Sequence, residues 1–60
     1  MKRFDVTAYD ANGVEVYDCE IIEAQDTKEA LSVADDMLTE AGFTWEERQT
    51  LELKVREMED

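Results

Sequence analysis

The sequence has no histidine, no proline, one cysteine, two glycines and only six basic residues among sixty. Each shortage removes a class of function. Without His there is no Ser–His or Cys–His pair for nucleophilic catalysis, and no Cys/His set for zinc. Cys19 stands alone, so an internal disulfide is impossible. Gly13 and Gly42 are too far apart to build a loop that cradles phosphate. No segment approaches the ~18 apolar residues that span a bilayer. Met1-Lys2-Arg3 leads into Phe4-Asp5 rather than into the apolar run of a secretory signal. Together these shortages predict a cytoplasmic protein that is not an enzyme and needs no metal or cofactor.

What the chain does have is negative charge. Seventeen Asp and Glu face six Lys and Arg, for a net −11 and a pI near 4.1. Such a surface repels nucleic acid and anionic lipid and attracts cations. The expected partner is therefore a basic protein or a nucleoprotein complex, with no direct nucleic-acid or membrane contact. At 43% hydrophobic the composition is still that of a folded chain. Sixty residues make one domain, residues 1–60, which buries only about 60% of its unfolded surface.

The pattern of apolar residues gives an α+β fold, a small single domain in ββαβ order. Residues 2–9 alternate, with Phe4, Val6 and Ala8 on one face and Arg3, Asp5, Thr7 and Tyr9 on the other. Asn12-Gly13 signals a tight hairpin in which both residues tolerate positive φ. A two-residue loop there pairs Ala8 with Tyr17, Val6 with Cys19 and Phe4 with Ile21. A four-residue loop keeps the same faces; a three-residue loop would turn Asp18 and Glu20 inward. The inner face then carries Tyr17, Cys19 and Ile21, and the outer face Val14, Val16, Asp18 and Glu20, with Tyr9 near Val16.

Residues 26–43 read as one amphipathic helix. Ala30, Leu31, Ala34, Met37, Leu38 and Ala41 fall on one side at about 100° per residue. Asp26, or Thr27, caps its start with Glu29 completing a capping box, and Gly42 ends it with Phe43 folding back toward Leu38. Thr44-Trp45-Glu46-Glu47 is a second capping box and predicts a short helical turn. Residues 50–58 fit a strand through Leu51, Leu53 and Val55, or else the end of a helix running from Trp45 to Met58. As a strand beside the first, they bring Lys54 and Arg56 near Asp5 and Thr7, leaving the helix side almost purely acidic.

The candidate partner-binding residues are Glu29, Asp35, Asp36 and Glu40 on the helix, with Glu46 and Glu47 just beyond it. Asp10 to Glu15 lacks the third ligand and the distant bidentate Glu of a calcium loop, and is read as a turn. Cys19 is read as core, and Trp45 as a lid over one end of it, with a partner contact as its alternative reading. A compact chain of this length is about 27 Å wide, so eleven net charges amount to about one per 2.5 Å, against one per ~1.7 Å along duplex DNA. In size and charge the chain resembles small acidic phage-encoded inhibitors, DNA mimics and anti-CRISPR proteins among them. That resemblance implies a small acidic module that occupies the basic groove of a partner. Asp26, Thr27, Glu29, Ala30 and Leu31, about one-tenth of the chain, resemble a helix opening in HicB-type antitoxins, which implies another protein-interaction module. A third possibility is a halophilic or housekeeping domain whose acidity serves solubility. Monomer and homodimer are both compatible with the pattern.

Overall fold

The computed structural model describes residues 1–58. Strands β1 (Lys2–Tyr9) and β2 (Glu15–Ala24) are followed by helix α1 (Thr27–Glu40), a short helix α2 (Trp45–Thr50) and strand β3 (Glu52–Met58). The three strands form an antiparallel sheet in the order β2-β1-β3. This is the expected ββαβ order, and the strand alternative for residues 50–58 is the one adopted. A helix through Met58 is excluded because β3 pairs along its whole length with β1.

Strand β1 is central, and its alternation is realised as read: Phe4, Val6 and Ala8 are buried. The hairpin departs from the expectation. Asp10 organises the turn: its Oδ1 accepts from the backbone N–H of Asn12 (2.8 Å) and of Val14 (3.0 Å). Its carbonyl accepts from Gly13 N–H at 3.0 Å. Gly13 alone takes positive φ here, at 78°, and no non-glycine residue does, so Asn12 is not in the left-handed region. A turn capped by an Asp side chain and closed by a left-handed Gly replaces the two-residue Asn-Gly turn.

The register then shifts twice. Tyr9 faces Glu15 while Ala8 faces Tyr17, which leaves Val16 as an extra residue; Val6 faces Cys19 while Asp5 faces Ile21, which leaves Glu20. The central pairs match the expectation, but the second bulge reverses the faces beyond it. Phe4 therefore faces Ile22, not Ile21. Ile22 is 3% exposed and Ile21 58%, so the inward assignment of Ile21 is wrong by one residue. Tyr9 likewise has no Val16 opposite it; Lys54 Nζ lies 4.9 Å from the centre of its ring instead.

Helix α1 starts and stops as its end signals dictate. Asp26 is the N-cap and its Oδ1 accepts from Glu29 N–H at 2.8 Å. Glu29 reaches back one residue further than a capping box requires, to Gln25 N–H at 3.2 Å. At the C-terminus Gly42 (φ 102°) donates to Thr39 and Phe43 donates to Leu38, both at 3.1 Å, the paired bonds of a Schellman motif. Ala30, Ala34 and Leu38 are buried, whereas Ala41, expected on the same stripe, is the exposed C-cap. The two alanines let the helix approach the sheet closely, against Phe4, Val6, Cys19, Ile22 and Ala24. Every buried residue among those described is apolar.

The helix lies mainly over β2 and reaches β1 and β3 equally. Cys19, Ile22 and Ala24 of β2 are fully buried, while Leu53 and Val55, on the same face of β3, remain only half-buried. The core is lopsided.

Candidate partner-binding surface

The six acids singled out from the sequence do not form one free set. Glu29 is engaged at the start of α1. Glu47 completes a full capping box: Thr44 Oγ1 accepts from Glu47 N–H at 3.1 Å, and Glu47 Oε1 accepts from Thr44 N–H at 2.9 Å. The bond from the Thr44 backbone N–H comes first in holding the Glu47 carboxyl below its usual range, followed by the Thr44 hydroxyl. Asp35 is bound by Arg48, whose Nε donates to Oδ1 at 2.9 Å and whose Nη1 donates to the Phe43 carbonyl at 2.9 Å. One guanidinium thus ties α1, the link and α2 together, with its side chain only 15% exposed. Three acids remain. Asp36, Glu40 and Glu46 are exposed and make no hydrogen bond or ion pair among the described residues.

The expected split of charge holds on the sheet and fails on the helices. Arg56 stands opposite Asp5 and Lys54 opposite Thr7 on the open face, with Arg56 Nη2 3.6 Å from Asp5 Oδ2. The helix side is not purely acidic, because Arg48 lies there and neutralises Asp35.

Two features of the surface stand apart from these six acids. Trp45 is 66% exposed, so it is not a lid on the core. It is the first residue of α2, a helix that buries none of its residues. The second feature is an acidic row on β2, where Glu15, Asp18 and Glu23 stand on the open face and Glu20 occupies the bulge. Within this row Asp18 and Asp5 crowd each other. The hydrogen bond that protonated Asp18 makes with Asp5 comes first in raising its carboxyl above the usual range, followed by desolvation and the charges of Asp5, Glu15 and Glu20. Asp5 Oδ1 is buried without a donor, which is the same crowding seen from the other carboxyl.

No known protein family, curated protein or solved structure matches the chain. The site must therefore be judged on its own chemistry. Cys19 is fully buried, and burial comes first in pushing its thiol up, ahead of the charges of Asp18 and Asp5, so it packs as a small apolar group. Among the described residues no three His, Cys, Asp or Glu side chains group to hold a metal ion. Among the described residues no helix is long and apolar enough to cross a membrane. What the surface offers is fixed negative charge with one large aromatic among it.

The fold measures 32 × 20 × 16 Å. Without Glu59 and Asp60 the net −11 becomes −9, or about one charge per 3.6 Å of the long axis. That is about half the density of duplex DNA and close to the ~3.4 Å per charge of one strand.

Proposed function

We propose that this protein is a small acidic protein-binding module, an inhibitor that mimics nucleic acid and occupies a basic groove of a partner as phage-encoded anti-defence proteins do. The reading rests on the unneutralised carboxylates Asp36, Glu40 and Glu46, held on rigid helices. Asp36 and Glu40 are four residues apart on α1, so their Cβ atoms are separated by about 6 Å on one face. A groove lined with Lys and Arg gains Coulomb energy from such a row without any base being read. The linear charge density favours a groove built for a single strand over one built for a duplex.

Glu29, Asp35 and Glu47 serve mainly to hold α1 and α2 in place, so their part in contact is secondary. The test is capture of partners from a host lysate at about 0.05 M and about 0.5 M salt, where the Debye length falls from roughly 14 Å to roughly 4 Å. The expected result is salt-sensitive capture of a nucleic-acid-binding protein, released by single-stranded oligonucleotide. Replacing Asp36, Glu40 and Glu46 together by Ser is expected to abolish it, and undiminished capture by that variant removes the helix-face reading.

Trp45 supports a second reading, a protein-interaction module anchored by an aromatic residue, since exposed Trp is enriched at interface hot spots. Under that reading Trp45→Ala eliminates capture and the triple Ser variant only weakens it. If the acidity serves solubility alone, neither variant changes capture.

A further inference from the structure

We infer that the free edge of β3 is a pairing surface for a second copy of this chain, giving a continuous six-stranded antiparallel sheet. The inference does not depend on the proposed function, because it concerns the opposite kind of surface.

The two sheet edges differ in what they permit. Edge β2 carries two bulges and the acidic row, both of which discourage the approach of another strand. Edge β3 pairs with β1 in unbroken register from Glu52 to Met58, with neither bulge nor proline. Its four charged residues, Glu52, Lys54, Arg56 and Glu57, cancel. In a chain of net −11 this is where a second copy meets least repulsion. The same strand keeps Leu53 and Val55 on the helix side only half-buried, because α1 lies mainly over β2 at the other edge of the sheet.

The charges also select a register. Antiparallel pairing of β3 with its own copy must match residues of the same face. With Lys54 on the two-fold axis, Glu52 of each copy stands opposite Arg56 of the other, and Leu53 opposite Val55. Centring on Val55 sets Lys54 against Arg56 and Leu53 against Glu57, so that register loses. The cost of the favoured one is Lys54 facing its own copy. That cost is reduced because each ammonium is drawn back over its own Tyr9 ring. The axis is perpendicular to the sheet, so both copies of α1 lie on the same side.

The register makes a charge-exchange test possible. Sedimentation equilibrium of the wild-type chain from about 10 μM to about 1 mM is expected to show passage from 6.9 kDa to twice that mass. Glu52→Arg and Arg56→Glu each place like charges in both outer pairs and are expected to weaken association about tenfold or more, with far-UV circular dichroism unchanged. Mixed in equal amounts, the two variants regain both opposite-charge pairs, and dimer returns. Amide exchange on the wild type gives a readout independent of mutation: protection across Leu53–Glu57 rises with protein concentration. A wild type that stays at 6.9 kDa, a mixture no tighter than its components, or concentration-dependent protection on β2 instead of β3 overturns the inference.

Discussion

Strands β2 and β3 flank the same central strand, yet they are specified by different physics. Strand β2 is buried on its inner face beneath α1, interrupted by two bulges and lined with acids. Strand β3 is regular, charge-balanced and half-open. A single helix over a three-stranded sheet cannot cover both sides equally, and here its small residues Ala30 and Ala34 seat it mainly over β2. One edge supplies the core and the other is left with apolar surface to spare. Bulges and negative charge guard the first edge, where repulsion costs the fold least because the packing beneath is complete.

The comparison is broken most severely by truncating its buried side. Ile22→Ala should destabilise by about 2–5 kcal/mol, whereas Val55→Ala should cost about 1 kcal/mol, because only part of the removed surface was buried. A domain of this size has roughly 3–9 kcal/mol in all. Urea titration of Ile22→Ala should therefore show little or no folded baseline, while Val55→Ala keeps a cooperative transition. Equal costs at the two sites would mean that the core is not lopsided.

Arg48 comes next in size of effect, since it links α1 to the short helix that leads into β3. Arg48→Met removes the Asp35 pair and the bond to the Phe43 carbonyl. A loss of about 1–2 kcal/mol is expected, mostly from the half-buried carbonyl contact, because Asp35 is exposed and screened. Thermal melts at about 0.05 M and about 0.5 M salt should show the loss nearly unchanged. At the other strand, Gly13→Ala should cost about 1 kcal/mol: φ is 78° although the space around it is open. Chemical denaturation checks that value, and a neutral outcome would mean that the turn relaxes to another type.

How much of this was legible in the sequence follows the same division. Elements set by a period or by an end signal could be read: β1 by alternation, α1 by Asp26 and Gly42, and α2 by Thr44 and Glu47, whereas residues 50–58 fit a strand or a helix and come beside β1 only as one placement of the strand. The bulges could not be read. Ile21 and Ile22 are adjacent and identical, and only the extra residue at Glu20 decides which of them turns inward. A side-chain period of two has no tolerance for one inserted residue, so a single bulge reverses every assignment beyond it. The candidate site suffered for a different reason. A row of acids shows charge but not what each acid is bonded to, and Asp35 and Glu47 are committed to Arg48 and Thr44. Trp45 was placed by hydrophobicity, yet the helix it opens buries none of its residues.

The smallest expected effect bears on the acidic side of the comparison, where β2 crowds Asp18 against Asp5. Because its folded-state carboxyl is raised above the usual 3.8, Asp18 binds its proton more tightly folded than unfolded. The sign follows from linkage: its ionisation opposes folding, and that penalty is relieved as pH falls through the raised value toward 3.8. Glu47 has the opposite sign, since its lowered carboxyl contributes stability above 4.5 that is lost as pH falls below it. Wild-type stability alone mixes the two, so the informative quantity is the difference between Asp18→Asn and wild type. Asn cannot ionise and can donate to Asp5, which supplies the donor that buried Oδ1 lacks. The variant should be the more stable of the two at pH 7. Its advantage should shrink as pH is lowered toward 3.8, while Glu47→Gln shows no such convergence from the stable side. An advantage for Asp18→Asn that stays constant from neutral pH down to about pH 4 would mean that Asp18 and Asp5 do not share their surroundings, and that the acidic row on β2 carries no internal strain.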